Sequence, residues 1–403
     1  MKKTLLVGAA ALIFAACSND EKTITVNNPT DRQRHEVVAI DAATAAQFGP
    51  DFVLTNAKGE PVVFQKTHDG ELLFMADVDA KSSAEFKVKK GKTGEFSPVA
   101  TGRQYPERVD DIAWENDRIA FRAYGPALQA SGERAFGYDI WVKSKPEPVV
   151  EHRYKMELDP KTLAAIDSLQ KANPDSAAAL RNATSYHVDH GNGMDCYKVG
   201  PTLGGGAAAL FVGDSIMYPY CYKDCKILDR GPLRFRAELT YNPVNVNGRE
   251  VTEHRTITLD AGSQLNRTDI VYEGLEEDAT VVAGQVVHDP DGGKHAENAA
   301  KGYIAYADPT DNPNNNNGTI FVGSVFPEPL QDARLVMFDR PEAQSRGADG
   351  HVLGFAPYRK DSKFTYYWGG GWSKYGFDDF NQWEQYLDGF SENLRAPLEV
   401  TVK

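Results

Sequence analysis

A mainly β, antiparallel fold with a small helical insertion and one C-terminal helix is the class this sequence predicts, and three observations carry it. Short alternating apolar runs, separated by Gly, Pro, Asn and Asp, recur from Ile24 to the end of the chain. Helix-forming composition is confined to residues 159–182 and to DDFNQWEQYLDGFSENL near the C-terminus. No unit of about 20–50 residues repeats, which argues against propellers and solenoids.

The elements follow in order. MKKTLLVGAAALIFAAC has two lysines, an apolar run too short to span a bilayer, and small residues ahead of a cysteine. That is the layout of a bacterial secretion leader over residues 1–16. Ala15-Ala16-Cys17 reads as a lipobox, with Phe14 where leucine is usual, so cleavage leaves Cys17 to carry the lipid anchor. A polar tether over 17–30 then leads to one β domain, 31–403, whose N-terminal strands (ITVNN, HEVVAI, PVVFQKTH, ELLFMADV, AEFKVKK) reach to about residue 110. In the run 118–124, Arg118, Ala120, Arg122 and Tyr124 share one face while Ile119, Phe121 and Ala123 share the apolar one. Asp159 is placed to cap a helix with Pro160 at its first position, and Pro174 divides the insertion into two short helices. Strands resume after it, the polar run from Asn312 forms a loop tip, and APLEVTV closes the chain as a strand.

A formal charge of −13 argues against nucleic acid and against a broad polybasic membrane contact. The expected setting is the outer membrane, periplasmic side or cell surface, with the lipid as the only membrane contact and the protein monomeric. Besides Cys17, three cysteines remain, Cys196, Cys221 and Cys225. In an oxidising compartment the expectation is one disulfide and one free thiol, with Cys196 joined to either of the others or those two joined locally.

SYHVDHGNGMDCYKVGPTLGGG, from residue 185, concentrates the polar chemistry. The segment reads as strand end plus loop, with His187 and Asp189 on one face and His190 at the turn. Two imidazoles beside carboxylates supply a base and an acid near neutral pH. Alternatives are a divalent-cation site, calcium for example, built on Asp189 and Asp195, and a satisfied polar network with no catalytic part. Trp368 and Trp372, around Gly369-Gly370-Gly371, offer aromatic platforms for sugar rings. Arg118 and Arg122, with Arg255 beside His254, form a candidate carboxylate clamp.

The chain resembles the galactose mutarotase-like supersandwich superfamily through EHRTITLDAGSQLNRTDIVYEG at 253–274. WENDRIAFRAYGPAL, YHVDHGNGMDCYKVGPTLG, ILDRGPLR and YYWGGGWSK are more closely similar to a domain-of-unknown-function family of glycan-degrading gram-negative bacteria. The resemblance implies a β-supersandwich acting on oligosaccharides. With an arginine clamp the substrate becomes a uronic-acid unit and the reaction β-elimination across C4–C5, as a dehydratase or lyase. The expected roles are His187 or His190 as base, Tyr124 or Tyr197 as acid, Arg118 and Arg122 as clamp, and Asp189, His254, Arg255, Trp368 and Trp372 around the sugar. No cofactor is required. A neutral-sugar epimerase, a hydrolase using pairs among Glu115, Asp189 and Asp195, and a glycan-binding lipoprotein are the rival readings.

Overall fold

The structure, a computed structural model, describes residues 21–311 and 315–403. The leader, Cys17 and the first residues of the tether lie outside the described residues. Twenty-six strands against seven α-helices among the described residues make the fold mainly β, and every pairing between named strands is antiparallel.

The first strands build a lobe of their own. Lys22–Asn27 pairs on one side with Ser83–Lys90 and on the other with the C-terminal strand Glu399–Val402, so the two ends of the chain meet in one sheet. The expected tether to residue 30 is therefore shorter, because alternating Ile24 and Val26 are drawn into a core. Arg34–Ile40, Leu72–Val78 and Phe64–Lys66 form the facing sheet. Their inward residues, including Val38, Phe74 and Phe86, pack separately from the main core.

The main body is a two-layer sandwich. One layer runs Tyr222–Asp229, Arg234–Tyr241, Arg249–Asp260, Leu265–Glu273, Phe364–Trp372, Ile320–Val325, Tyr303–Asp308, His295–Asn298. The other holds two five-stranded sheets, one centred on Ala279–Val287 and one on Ile119–Ala123, joined by a bridge between Tyr138 and Gly204. Trp114 stacks on Phe235 and Tyr138 on Trp368, the latter with ring centroids 3.8 Å apart. Gly204 and Gly206 have positive φ, and side chains there would strike the Tyr138 carbonyl and Trp368. The glycine run thus lets the layers touch instead of receiving a ligand.

The helical insertion lies on the outer face of the Ile119–Ala123 sheet. Asp159 caps Pro160–Ala172 as expected, and Asn173 caps Pro174–Thr184. A third helix, Val150–Glu157, precedes them and extends the insertion beyond residues 159–182. Its start is held from afar: the Glu115 carboxylate, 2 % exposed, accepts from the N–H groups of Val149 and Val150 at 2.9 and 2.8 Å. The same carboxylate takes the buried Lys143 ammonium at 2.6 Å. Glu115 is therefore a structural cap, not one of a hydrolytic pair. Removing it leaves Lys143 charged in the interior, so Glu115→Ala should lower the unfolding free energy by about 3–5 kcal/mol in urea titrations. Glu115→Gln, which keeps an acceptor for the helix amides, should lose less.

Candidate functional site

The outer face of the Ile119–Ala123 sheet carries the polar cluster. Strand alternation turns Phe121 into the sandwich and Arg122 out beneath the insertion. Arg122 there is only 5 % exposed and meets Asp139 at 2.5 Å, Asp195 at 2.9 Å and Asp111 at 3.9 Å. Asp139 is aimed by the N–H of Ile140 and the Trp141 indole. Tyr154 and Tyr186 close the cluster from the insertion side, Tyr186 within reach of both Arg122 and Arg108.

Three carboxylates around one buried guanidinium cannot all ionise freely. Burial, with the neighbouring Asp139, pushes Asp195 up to about 7 against the pull of Arg122. Burial likewise raises Asp111 to about 6, although Arg122 and Arg108 oppose it.

Two histidine–aspartate pairs flank this cluster. His187 places Nδ1 3.0 Å from the Asp195 carbonyl and 3.5 Å from its carboxylate, with its ring more than half exposed. His288, at the end of Ala279–Val287, sets Nδ1 2.7 Å from Asp308 Oδ2. An ionised Asp308 only accepts, so Nδ1 donates to it, and Nε2 has no partner among the described residues. Tyr197 stands between the pairs, its ring 6.3 Å from that of His288. Burial, then the charges of Asp308 and Asp139, holds its phenol well above the ordinary range. Tyr124 feels Asp139 and Asp195 and lies 5.1 Å from the Arg122 guanidinium.

Orphan polar atoms mark the same place. Ten buried side-chain atoms lack a partner among the described residues, and five of them are Arg122 Nε, Asp111 Oδ1, Tyr197 OH, His288 Nε2 and Thr310 Oγ1. Native interiors seldom leave such groups unpaired, and strain, chemistry or a bound water accounts for those that are. Backbone strain coincides with them: Thr310 has φ +70°, and Val109 and Asp110, just before Asp111, have +44° and +61°. Left-handed β-branched residues are costly and gather at working sites.

Several sequence-based assignments change. Arg118 sits in the turn before the strand, exposed and paired with Asp117, so it makes no clamp with Arg122, whose charge is already shared among three aspartates. Residues 186–190 are turn and bend, not strand. Asp189 accepts from the N–H groups of Gly191, Asn192 and Gly193 and shapes its own loop. Asp195 is committed to Arg122, so the pair forms no cation site. His190 is exposed, with Nε2 on the Ser185 carbonyl. His254 and Arg255, adjacent on a strand, face opposite ways. His254 meets Glu273 on the outer surface, whereas Arg255 is buried in the sandwich with Glu253, Tyr138 and the Ala208 carbonyl. Trp368 and Trp372 are core residues at 0 % and 3 % exposure, with indole N–H groups given to Thr268 and to the Asn317 carbonyl. Among the described residues no disulfide forms, and Cys196, Cys221 and Cys225 are free thiols.

Sequence reasoning missed Asp111, Asp139, His288 and Asp308. The one local signal was His288 at a strand end ahead of Asp289-Pro290-Asp291-Gly292-Gly293, a turn that exposes whatever precedes it.

The profile of the family described as "Domain of unknown function (DUF4861)" matches residues 26–400. "Uncharacterized protein P7" of Formosa agariphila is 27% identical over 424 residues, covering 98% of each chain. Among solved structures, the chain is similar to an alpha-mannosidase from Enterococcus faecalis, with TM-score 0.50 and 8% identity over 95% of this chain and 46% of that one. A glycosyl hydrolase family 38 protein from Enterococcus faecalis follows at TM-score 0.48 and 8% identity, covering 96% and 48%. The chain spans about half the length of these structures, and the first likeness shows the fold alone.

The raised aspartates give a signed pH dependence. Between the ordinary aspartate value of 3.8 and about 7 the folded chain keeps on Asp195 a proton that the unfolded chain releases. Stability contributed by this group should therefore fall as pH rises through that window. Urea unfolding across pH should show a shallower decline in Asp195→Asn than in the parent.

Proposed function

We propose that this chain, which belongs to the DUF4861 family, is a carbohydrate-active enzyme that performs β-elimination on uronic-acid-containing oligosaccharides. The observation that carries the reading is an imidazole and a phenol whose ring centroids lie 6.3 Å apart, each with a buried atom lacking a partner among the described residues: His288 Nε2, with Nδ1 on Asp308, and the Tyr197 hydroxyl. His288 takes the proton at C5, the one made acidic by the adjacent carboxylate, and the freed pair forms the C4–C5 double bond. Tyr197 gives its proton to the oxygen leaving C4. If that oxygen is a hydroxyl, water departs; if it joins another sugar, the chain is cut. Hydrolysis by paired carboxylates is less well supported, because Asp139 and Asp195 are tied to the same guanidinium. The steps use no cofactor. The same proposal has the chain exported and held at the outer membrane by acyl chains on Cys17.

The test is incubation of uronate-ended and neutral oligosaccharides with the protein, followed by ultraviolet absorbance and mass. A conjugated uronate should appear, with loss of water or with cleavage. His288→Gln and Tyr197→Phe should each lower kcat by about 10²–10⁴-fold, whereas His254→Ala should leave it unchanged. Gain of water, or interconversion of neutral sugars without new absorbance, would replace this reading by a hydrolase or an epimerase.

A further inference from the structure

A concave surface lies on the outer face of the large sheet. The N-terminal lobe, the outer face of the large sheet and the helix Phe380–Arg395 enclose a groove of about 790 Å³, within the size range of small-ligand sites. Its floor is regular. Arg236, Thr258, Arg267 and Tyr367 are direct cross-strand neighbours on four adjacent strands, and all point into the groove. At strand spacing this row is about 14 Å long, room for a few sugar units. Tyr367 has its ring edge-to-face with Phe390 of the helix and ends the row with an aromatic wall.

The charges of the groove are balanced internally. Five cationic side chains line it, Arg34, Arg234, Arg236, Arg267 and Lys363, against five carboxylates. Each cation is paired with a lining carboxylate. Arg34 holds Glu36, Arg234 holds Asp260 at 2.6 Å, and Arg236 holds Asp69 at 3.0 Å and Glu71 at 3.3 Å. Arg267 and Lys363 share Asp269 at 3.1 and 3.3 Å. An anionic ligand would have to break these pairs. Hydroxyl groups need not, since paired guanidinium and carboxylate groups keep spare N–H donors and lone pairs in fixed planes.

We infer that this groove is a binding site for a neutral oligosaccharide, several sugar units long, laid across the strands from Arg236 to Tyr367. The site shares no residue with the acid–base cluster and does not depend on the β-elimination reading.

Calorimetric titration of the full chain with cello-, xylo- and galacto-oligosaccharides, and with a uronate oligomer of equal length, tests it. The expected result is binding of at least one neutral series, insensitive to ionic strength, and at least tenfold weaker in Tyr367→Ala and in Arg267→Ala. Arg267 is exposed, so its variant guards against loss by misfolding. His288→Gln should bind as the parent does, and Arg267→Ala should keep the parent's turnover, which separates failure here from failure of the catalytic reading. Absence of binding by every neutral series would overturn the inference. So would binding unchanged in both variants, or affinity confined to the uronate oligomer and abolished by salt.

Discussion

One buried guanidinium organises the polar side of this molecule. Arg122 comes from the middle of a strand, Asp139 from the next strand and Asp195 from the third, so a single side chain locks three strands and the loop beyond them. A buried charge left unpaired is expensive, and three carboxylates around it overcompensate. The excess is relieved by proton uptake on Asp195 and Asp111.

Strain and unsatisfied polarity gather around that lock. Thr310 takes a left-handed backbone two residues after Asp308, and its N–H bonds the Asp308 carboxylate, whose other oxygen orients His288. Val109 and Asp110 do the same ahead of Asp111. Such conformations persist only where the surroundings over-determine them. Here the surroundings include Tyr222, whose hydroxyl donates to the Asp110 carbonyl, and the Cys196 carbonyl, which accepts from the N–H of Asp311.

The two outer faces of the sandwich are built on opposite electrostatic plans. Beneath the insertion, three buried carboxylates surround one guanidinium, which raises Asp111 and Asp195. In the groove beside the N-terminal lobe, cations and carboxylates pair one with another in partly hydrated surroundings, which fixes hydrogen-bond directions with little net field. Between them lies an apolar and aromatic core, including Trp114, Tyr138 and Trp368, that insulates one face from the other.

Much was legible in the sequence because it is local. Alternation identified the strands, Asp159-Pro160 and Pro174 marked the insertion helices, and the amphipathic C-terminal segment announced its helix. Within the polar stretch from Tyr186 to Tyr197, His187, Asp195 and Tyr197 converge with Arg122 and Tyr124. What alternation could not tell is which of two faces meets solvent, because in a layered sandwich both are covered. Trp368, Trp372 and Arg255 therefore went to the core against expectation. Arg122 met three aspartates, two of them outside the stretch the sequence singled out. His288 and Asp308 lie about a hundred residues from His187, on strands of opposite layers, and only the closing of the sandwich brings them beside Tyr197. Residue type and spacing determined the elements. The pairing of distant charges, which decides the chemistry, waited on tertiary packing, because burial alone dictates which partners a charge must find.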